Sequence, residues 1–129
     1  MTNPFIDRPE ANFRAHLAQG RFMIQRCKET GEHVFYPRLF PPGDAGGTLE
    51  WVEASGRGIV HATTVNRRRP EQGGDYNIAL IELEEGPRML SRVVGIAPDA
   101  VHIGQKVRAR IEPLDGSPAV VFEPAEVAP

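Results

Sequence analysis

Side chains that commonly act as nucleophiles, bases or metal ligands are few in this sequence and widely separated. Its one cysteine, Cys27, excludes an intrachain disulfide, and no Cys-His or Ser-His-Asp arrangement follows from the spacing. The four histidines are His16, His33, His61 and His102. Gly56-x-Gly58 lacks the third glycine and the following helix of a dinucleotide-binding loop. We therefore predict no catalytic residue and expect a protein that is not itself an enzyme.

The run Arg67-Arg68-Arg69 is the charged feature best suited to binding a ligand. Residues 54–70 contain four arginines and no acidic residue. Guanidinium groups bind phosphate oxygens through charge-assisted, often bidentate hydrogen bonds, so this loop suits a phosphorylated ligand. A solvated hairpin tip that aids solubility or contacts an acidic partner is the alternative, and the sequence leaves both open.

A different function, nucleic-acid binding, is suggested by three aromatic residues: Trp51, Tyr76 and Phe122. Small barrels of the OB type stack nucleic-acid bases on exposed rings, each stack contributing about 1–3 kcal/mol. Such a surface should be positive, whereas this half of the chain also carries Glu82, Glu84, Glu85, Glu112 and Asp115. Single-stranded nucleic-acid binding is therefore kept only as the alternative function.

Net charge and hydropathy argue against a protein that binds mainly to a nucleic-acid backbone or to a membrane. Fifteen Lys+Arg against seventeen Asp+Glu give a net charge of -2, whereas binding mainly to a nucleic-acid backbone or an anionic membrane needs a basic surface. No apolar run approaches the roughly 20 residues that cross a bilayer. The first residues lack the basic and then apolar pattern of a secretory signal. We expect a cytoplasmic protein of 129 residues without membrane contact.

Local patterns predict a short helix followed by a small irregular module. Phe13 and Leu17 are four residues apart, which predicts a helix over residues 10–19 with both side chains on one face. A helix this short is marginal alone in water, so we expect that face to pack against another part of the protein. A strand follows over residues 21–27. Residues 28–47 are rich in glycine and proline but contain apolar aromatic residues, which indicates a compact, turn-rich finger.

From residue 48 onward the sequence reads as short strands separated by glycine and proline breakers. Six such segments predict a mainly β protein that ends in a five- to six-stranded antiparallel OB-fold barrel. The segments are 49–54, 58–66, 76–83, 88–95, 106–113 and 119–122. The predicted boundaries are 1–20 for an N-terminal helical segment, 21–47 for the finger, 48–123 for the barrel and 124–129 for a frayed tail.

Several motifs, taken in order, resemble a known family of acyl-CoA-associated proteins that join a rubredoxin-like zinc ribbon to an OB-fold. The resemblance covers roughly residues 10–123. Its ribbon motifs are Gln25-Arg26-Cys27-x-x-Thr30-Gly31, Phe35-Tyr36-Pro37-Arg38 and Pro41-Pro42-x-Asp44. Its barrel motifs are Trp51, Ser55-Gly56-Arg57-Gly58, Tyr76-Asn77-Ile78-Ala79, Leu83-x-Glu85-Gly86, Gly95 and Gly104.

The resemblance implies a small accessory subunit of lipid metabolism that binds a thiolase-like or other acyl-CoA enzyme. Acyl-CoA itself is a second ligand that the family allows. On this basis Arg67, Arg68 and Arg69 are the candidate residues for the phosphates of coenzyme A. The candidate partner-facing residues of the finger are Phe35, Tyr36, Leu39 and Phe40.

The chain departs from the family where the metal is bound. Of the four positions that carry cysteine in the family, only Cys27 keeps a thiol, and the other three are Thr30, Pro41 and Asp44. Structural zinc takes four thiolate or imidazole ligands, occasionally with a carboxylate, and proline has no side-chain donor. We therefore predict a degenerate, metal-free ribbon with no cofactor, held instead by packing of its aromatic residues.

Overall fold

The computed structural model describes residues 9–38, 47–114 and 116–125. The chain divides between Ala54 and Ser55 into two compact units, each of which has its own antiparallel sheet. Within the described residues, no helix is long and apolar enough to cross a membrane.

The first unit contains one helix and a three-stranded sheet. Helix α1 spans Pro9–Ala18, which confirms the helix predicted over residues 10–19, and its Leu17 is buried. The sheet has the order β2-β1-β3. Its strands are β1 at Met23–Cys27, β2 at His33–Val34 and β3 at Leu49–Glu53.

The central strand β1 carries the core of the first unit. Four of its five residues are buried, so it is covered on both faces and shows no simple alternation. Ile24 is 1% exposed, and Gln25 is buried as well although its side chain is polar. A buried amide needs hydrogen-bond partners, and Gln25 has two, described below.

Strand β3 belongs to this first sheet, although the sequence analysis placed it in the barrel. It pairs with β1 along its full length, from Cys27 opposite Leu49 to Met23 opposite Glu53. The backbone N–H of Ala54 also donates to the carbonyl of Phe22. A strand's own pattern gives its conformation but not its pairing partner, so the predicted start of the barrel at residue 48 differs from the structural division after residue 54.

The second unit is a curled five-stranded antiparallel sheet, consistent with the predicted OB-fold. The strand order is β6-β5-β4-β7-β8, and a parallel bridge between Val93 and Phe122 joins the region after β6 to β8. The strands are β4 at Arg57–Asn66, β5 at Tyr76–Leu83, β6 at Arg88–Ser91, β7 at Lys106–Leu114 and β8 at Ser117–Pro124.

Strand β5 shows how the barrel separates its two faces. Its burial alternates strictly, with Asn77, Ala79, Ile81 and Leu83 buried and the residues between them half-buried. The buried set faces the barrel interior, where Phe122 is 0% exposed. The other set, which begins at Tyr76, therefore lies on the outer face. Tyr76 is the first residue of β5, so it directly follows the loop that carries the three arginines.

Candidate functional site

The arginine run lies in the loop between β4 and β5, which is shaped by the carboxylate of Asp75. Arg67 Nη1 donates to Asp75 Oδ2 at 2.8 Å, and the backbone N–H of Arg68 donates to Oδ1 at 3.1 Å. The hydrogen bond from Arg67, together with the one from Arg68, lowers the pKa of Asp75 below its ordinary value. Arg67 is thus already ion-paired, and its charge is partly compensated.

Arg68 lies on the ring of Tyr76 and shares that ring with a second arginine. The guanidinium carbon of Arg68 is 4.4 Å from the ring centroid, and that of Arg92 is 4.6 Å from it. Arg68 Nε also donates to the carbonyl of Gly74 at 3.3 Å, and Asn66 Nδ2 donates to the hydroxyl of Tyr76. Arg92 lies 16 residues beyond Tyr76 in the chain and was not among the residues predicted from the sequence.

The arginine cluster, defined as Arg68, Arg69 and Arg92, carries uncompensated positive charge. Within the described residues none of the three forms an ion pair with a carboxylate, unlike Arg67 beside them. Bringing two guanidinium groups onto one ring costs Coulomb repulsion, which an anion would relieve. The arrangement therefore suits a ligand with several negative oxygens, such as a phosphate or diphosphate.

An apolar strip runs along the same outer face from the arginine cluster. Ile78 and Leu80 follow Tyr76 at alternate positions of β5, and Leu90 of β6 is the cross-strand partner of Leu80. Leu90 is 57% exposed. The cluster and this strip together present charge and apolar surface side by side.

The finger's aromatic residues form a chain of ring contacts with the helix. Phe13 of α1 meets Phe22 at 6.4 Å and Phe35 at 5.5 Å between centroids, and Phe35 meets Tyr36 at 4.8 Å. Phe35 is half-buried, whereas Tyr36 is 57% exposed. The other two candidate partner-facing residues, Leu39 and Phe40, lie outside the described residues.

The two described positions that correspond to zinc ligands form hydrogen bonds within the chain. Cys27 is buried, and its Sγ–H donates to Glu29 Oε2 at 3.4 Å. The hydroxyl of Thr30 accepts the backbone N–H of Glu32 at 3.2 Å. In the described part of the chain, no three His, Cys, Asp or Glu side chains converge as a metal site would require. Pro41 and Asp44 lie outside the described residues.

Two polar side chains that were not predicted from the sequence bind backbone groups in or directly after the finger. Gln25 Nε2 donates to the carbonyl of Arg38, and the N–H of Arg38 donates to Gln25 Oε1, both at 2.6 Å. Glu29 accepts the backbone N–H of Thr48 with both oxygens, at 2.9 and 3.2 Å. That hydrogen bond is the main reason why the pKa of Glu29 is lowered. A glutamine at an inward position of a strand was the available signal.

Two of the remaining candidate residues contact each other, and a third is buried. His16 lies against Trp51 with ring centroids 5.3 Å apart, and both belong to the first unit. Phe122 is fully buried in the barrel, so it offers no surface on which a base could stack. Of the three aromatic residues considered for nucleic acid, Tyr76 is already covered by guanidinium groups.

Family models match both halves of the chain. The rubredoxin-like zinc ribbon domain of ChsH2 matches residues 14–45, and the C-terminal OB-fold domain of ChsH2 matches residues 51–112. Among solved structures, the chain is similar to one titled Ltp2-ChsH2(DUF35) aldolase. That match has a TM-score of 0.79 and 33% identity, and it covers 95% of this chain and 98% of the other.

Curated relatives carry two kinds of name. A DUF35 domain-containing scaffold protein of Methanocaldococcus jannaschii is 35% identical over 78% of this chain and 79% of the relative. A probable enoyl-CoA hydratase alpha subunit of Thermomonospora curvata is 36% identical over 95% of this chain. This chain spans only 39% of that hydratase subunit's length.

Proposed function

Because the chain belongs to the DUF35 family of zinc-ribbon and OB-fold proteins, we propose that it is a non-catalytic accessory subunit of an acyl-CoA enzyme. The observation that carries this proposal is the likeness along nearly the whole chain to the ChsH2 (DUF35) chain of an aldolase. Relatives named as scaffold proteins and as a hydratase subunit support the same role.

The chemistry of the described residues agrees with a supporting role. A catalytic base or nucleophile needs a partner within hydrogen-bond reach and an environment that tunes its pKa. Cys27 is buried, and its thiol donates to the carboxylate of Glu29 and not to a base that could activate it. His61 and His102 are exposed on the barrel surface. In the described part of the chain, none of these three residues lies next to a base or an acid that would prepare it for catalysis.

We place the phosphates of acyl-CoA at the arginine cluster. Arg68 and Arg92 keep N–H groups at their edges while their faces lie on Tyr76, and Arg69 is exposed beside them. Arg67 contributes indirectly, because its bond to Asp75 shapes the loop. The apolar strip of Ile78, Leu80 and Leu90 would then contact the less polar part of the acyl-CoA.

The partner-facing surface in this proposal is the finger. The exposed ring of Tyr36 beside half-buried Phe35 is the kind of aromatic anchor that dominates interfaces. Leu39 and Phe40 extend the surface in the sequence. The enzyme that it binds would be thiolase-like or another acyl-CoA enzyme, such as the aldolase and hydratase classes named among the relatives.

Calorimetric titration with acetyl-CoA tests the ligand. Replacing Arg69 or Arg92 by alanine should weaken binding roughly tenfold each, since a charge-assisted hydrogen bond contributes about 1.5–3 kcal/mol. Arg88→Ala is the matched control, because Arg88 is paired with Glu82 on the same strand pair. Equal affinity of the Arg69 and Arg92 variants and the wild type would remove the cluster from the site.

A second titration addresses the alternative function. A single-stranded oligonucleotide should bind weakly or not at all under the same conditions. Tight binding that falls steeply with salt would favour the nucleic-acid function. For the partner, co-expression with an acyl-CoA enzyme of the aldolase or hydratase class should yield a complex, which Tyr36→Ala should weaken.

A further inference from the structure

The ribbon fold normally needs a cross-link, and this chain has lost the usual one. In a zinc ribbon a single ion ties two loops together, and such metals can supply on the order of 10 kcal/mol to a small module. Here one loop retains Cys27 but has Thr30 in place of the second thiol, and the other has a proline at one ligand position. The two loops must be tied in some other way.

The first tie is the carboxylate of Glu29, in the loop that follows Cys27. Both of its oxygens accept the backbone N–H of Thr48, which is where the chain returns after the second loop. The same carboxylate accepts the thiol of Cys27, and the Lys28 N–H donates to the Thr48 carbonyl at 2.9 Å. The side chain of Glu29, two residues after the ligand position Cys27, thus joins the loop that follows Cys27 to the segment that begins near Thr48.

Gly47, the residue before Thr48, leaves room for the carboxylate of Glu29 because it has no side chain. Gly47 has φ of +119°, and a Cβ built on it would lie 2.8 Å from Glu29 Oε2 and 3.3 Å from Cys27 Sγ. Any other residue there would push the carboxylate away, so glycine at position 47 and glutamate at position 29 form one arrangement.

The second tie is the amide of Gln25, on the other side of the second loop. It is 4% exposed, and it exchanges two hydrogen bonds with the backbone of Arg38. The two ties therefore hold the second loop at Arg38, before it begins, and at Thr48, after it ends. These hydrogen bonds are part-buried, and their loss would leave the buried amide of Gln25 without its backbone partners.

We propose that these two polar clamps, Glu29 on Thr48 and Gln25 on Arg38, have replaced the metal as the cross-link of the finger. The described ring contacts of the finger join Phe13, Phe22, Phe35 and Tyr36, and none of them reaches Arg38 or Thr48. The clamps fix both ends by hydrogen bonds to the backbone. The finger then needs no metal to keep its fold.

The single tryptophan makes the proposal testable in the full chain. Trp51 lies in β3 directly opposite Gln25, so its fluorescence reports unfolding of the first unit separately from the barrel. Glu29→Ala and Gln25→Leu should both lower the Trp51 melting midpoint, the second by roughly 4–8 °C. Glu32→Ala removes an exposed acid of the same loop and should leave the midpoint unchanged. Midpoints like that of the control in both variants would overturn the proposal.

Metal dependence is measured on the same protein. The wild type should purify without stoichiometric zinc by mass spectrometry, and a chelator should not move the Trp51 midpoint. A chelator-induced loss of structure would show that a metal still performs the cross-link, and the proposal would fail.

If a clamp variant does not fold, a variant with a restored metal site provides a second test of the proposal. Thr30→Cys, Pro41→Cys and Asp44→Cys together recreate four thiols with Cys27. This triple variant should bind one zinc, and adding Glu29→Ala to it should then cost little in the Trp51 midpoint. If it binds no zinc, or if Glu29→Ala is as damaging with zinc bound as without, the clamp is not a substitute for the metal.

Discussion

At the residue scale, the ring of Tyr76 is the part of the candidate site on which most contacts converge. It lies under two guanidinium groups and accepts a hydrogen bond from Asn66. Each cation–π contact at an exposed position is worth about 0.5–1 kcal/mol, enough to orient a long arginine but not to neutralise it. The ring therefore orders two positive charges and leaves their N–H edges for a ligand.

Two substitutions of Tyr76 separate the ring from its hydroxyl. Tyr76→Ala removes both stacking contacts, so Arg68 and Arg92 regain rotamer freedom and acetyl-CoA affinity should fall about tenfold, or roughly 1–2 kcal/mol. Tyr76→Phe keeps the ring and loses only the bond from Asn66, so its affinity should stay close to that of the wild type. Calorimetry decides between these outcomes, and equal losses in both variants would assign the effect to the hydroxyl.

The carboxylate of Asp75 should give the barrel a small pH dependence. Its pKa in the folded protein lies below the ordinary value of 3.8, because Arg67 and the N–H of Arg68 favour the charged form. A depressed folded pKa adds stability at neutral pH, and that stability is lost as the pH falls below about 4 through the folded value. The urea midpoint of the wild type should therefore exceed that of Asp75→Asn at pH 7, and the difference should shrink by pH 3.

Residues such as Arg92, Gln25 and Glu29 show which parts of the site a sequence alone leaves unread. The run of three arginines is visible because its members are adjacent, whereas Arg92 reaches Tyr76 only through the pairing of neighbouring strands. Gln25 and Glu29 act on backbone groups 13 and 19 residues away. Such contacts depend on tertiary register, which local spacing does not contain.

At the scale of elements, Asn77 joins three segments inside the barrel. Its Nδ2 donates to Thr63 Oγ1 at 2.7 Å and to the carbonyl of Thr64 at 3.2 Å, and its Oδ1 accepts the N–H of Val93 at 3.0 Å. The side chain is 2% exposed. It thus links β4 and β5 to the segment that follows β6 and carries Arg92.

Replacing Asn77 by leucine should damage both stability and ligand binding. Leucine has a similar volume but leaves the Val93 N–H and the Thr64 carbonyl without this partner, at a cost of about 1–3 kcal/mol. The urea midpoint followed by far-ultraviolet circular dichroism should fall accordingly. Because Arg92 adjoins Val93, acetyl-CoA affinity should fall as well. Asn66→Ala, on the outer face of the same strand pair, should leave the urea midpoint much less affected.

The elements themselves could be predicted more completely than their pairing. Alternation and breakers are local, so the helix and the strands of the barrel lie where the sequence indicates, although β6 ends at Ser91 and not at residue 95. Which strand β3 pairs with depends on residues that are distant from it in the sequence. Its pattern fits either sheet, and only the register with β1, from Cys27 to Met23, assigns it to the first unit.

At the scale of the whole molecule, the proposed roles are divided between the two units. The arginine cluster and the apolar strip lie in the second unit, and the candidate partner-facing residues lie in the first. Cutting the chain after Ala54 should therefore separate ligand binding from partner binding. The barrel keeps its own strands, its closing bridge and its buried Phe122 in such a fragment.

A fragment of residues 55–129 should fold alone and bind acetyl-CoA with an affinity close to that of the full chain, but it should not bind the partner enzyme. The matched control is residues 48–129, which begins at the boundary predicted from the sequence. It carries β3 without β1, so Leu49, Trp51 and Val52 lose the strand they pair with, and the backbone groups of β3 form an unpaired edge. Size-exclusion chromatography should show more self-association for the longer fragment. If instead only the longer fragment is monomeric and folded, β3 belongs to the barrel after all.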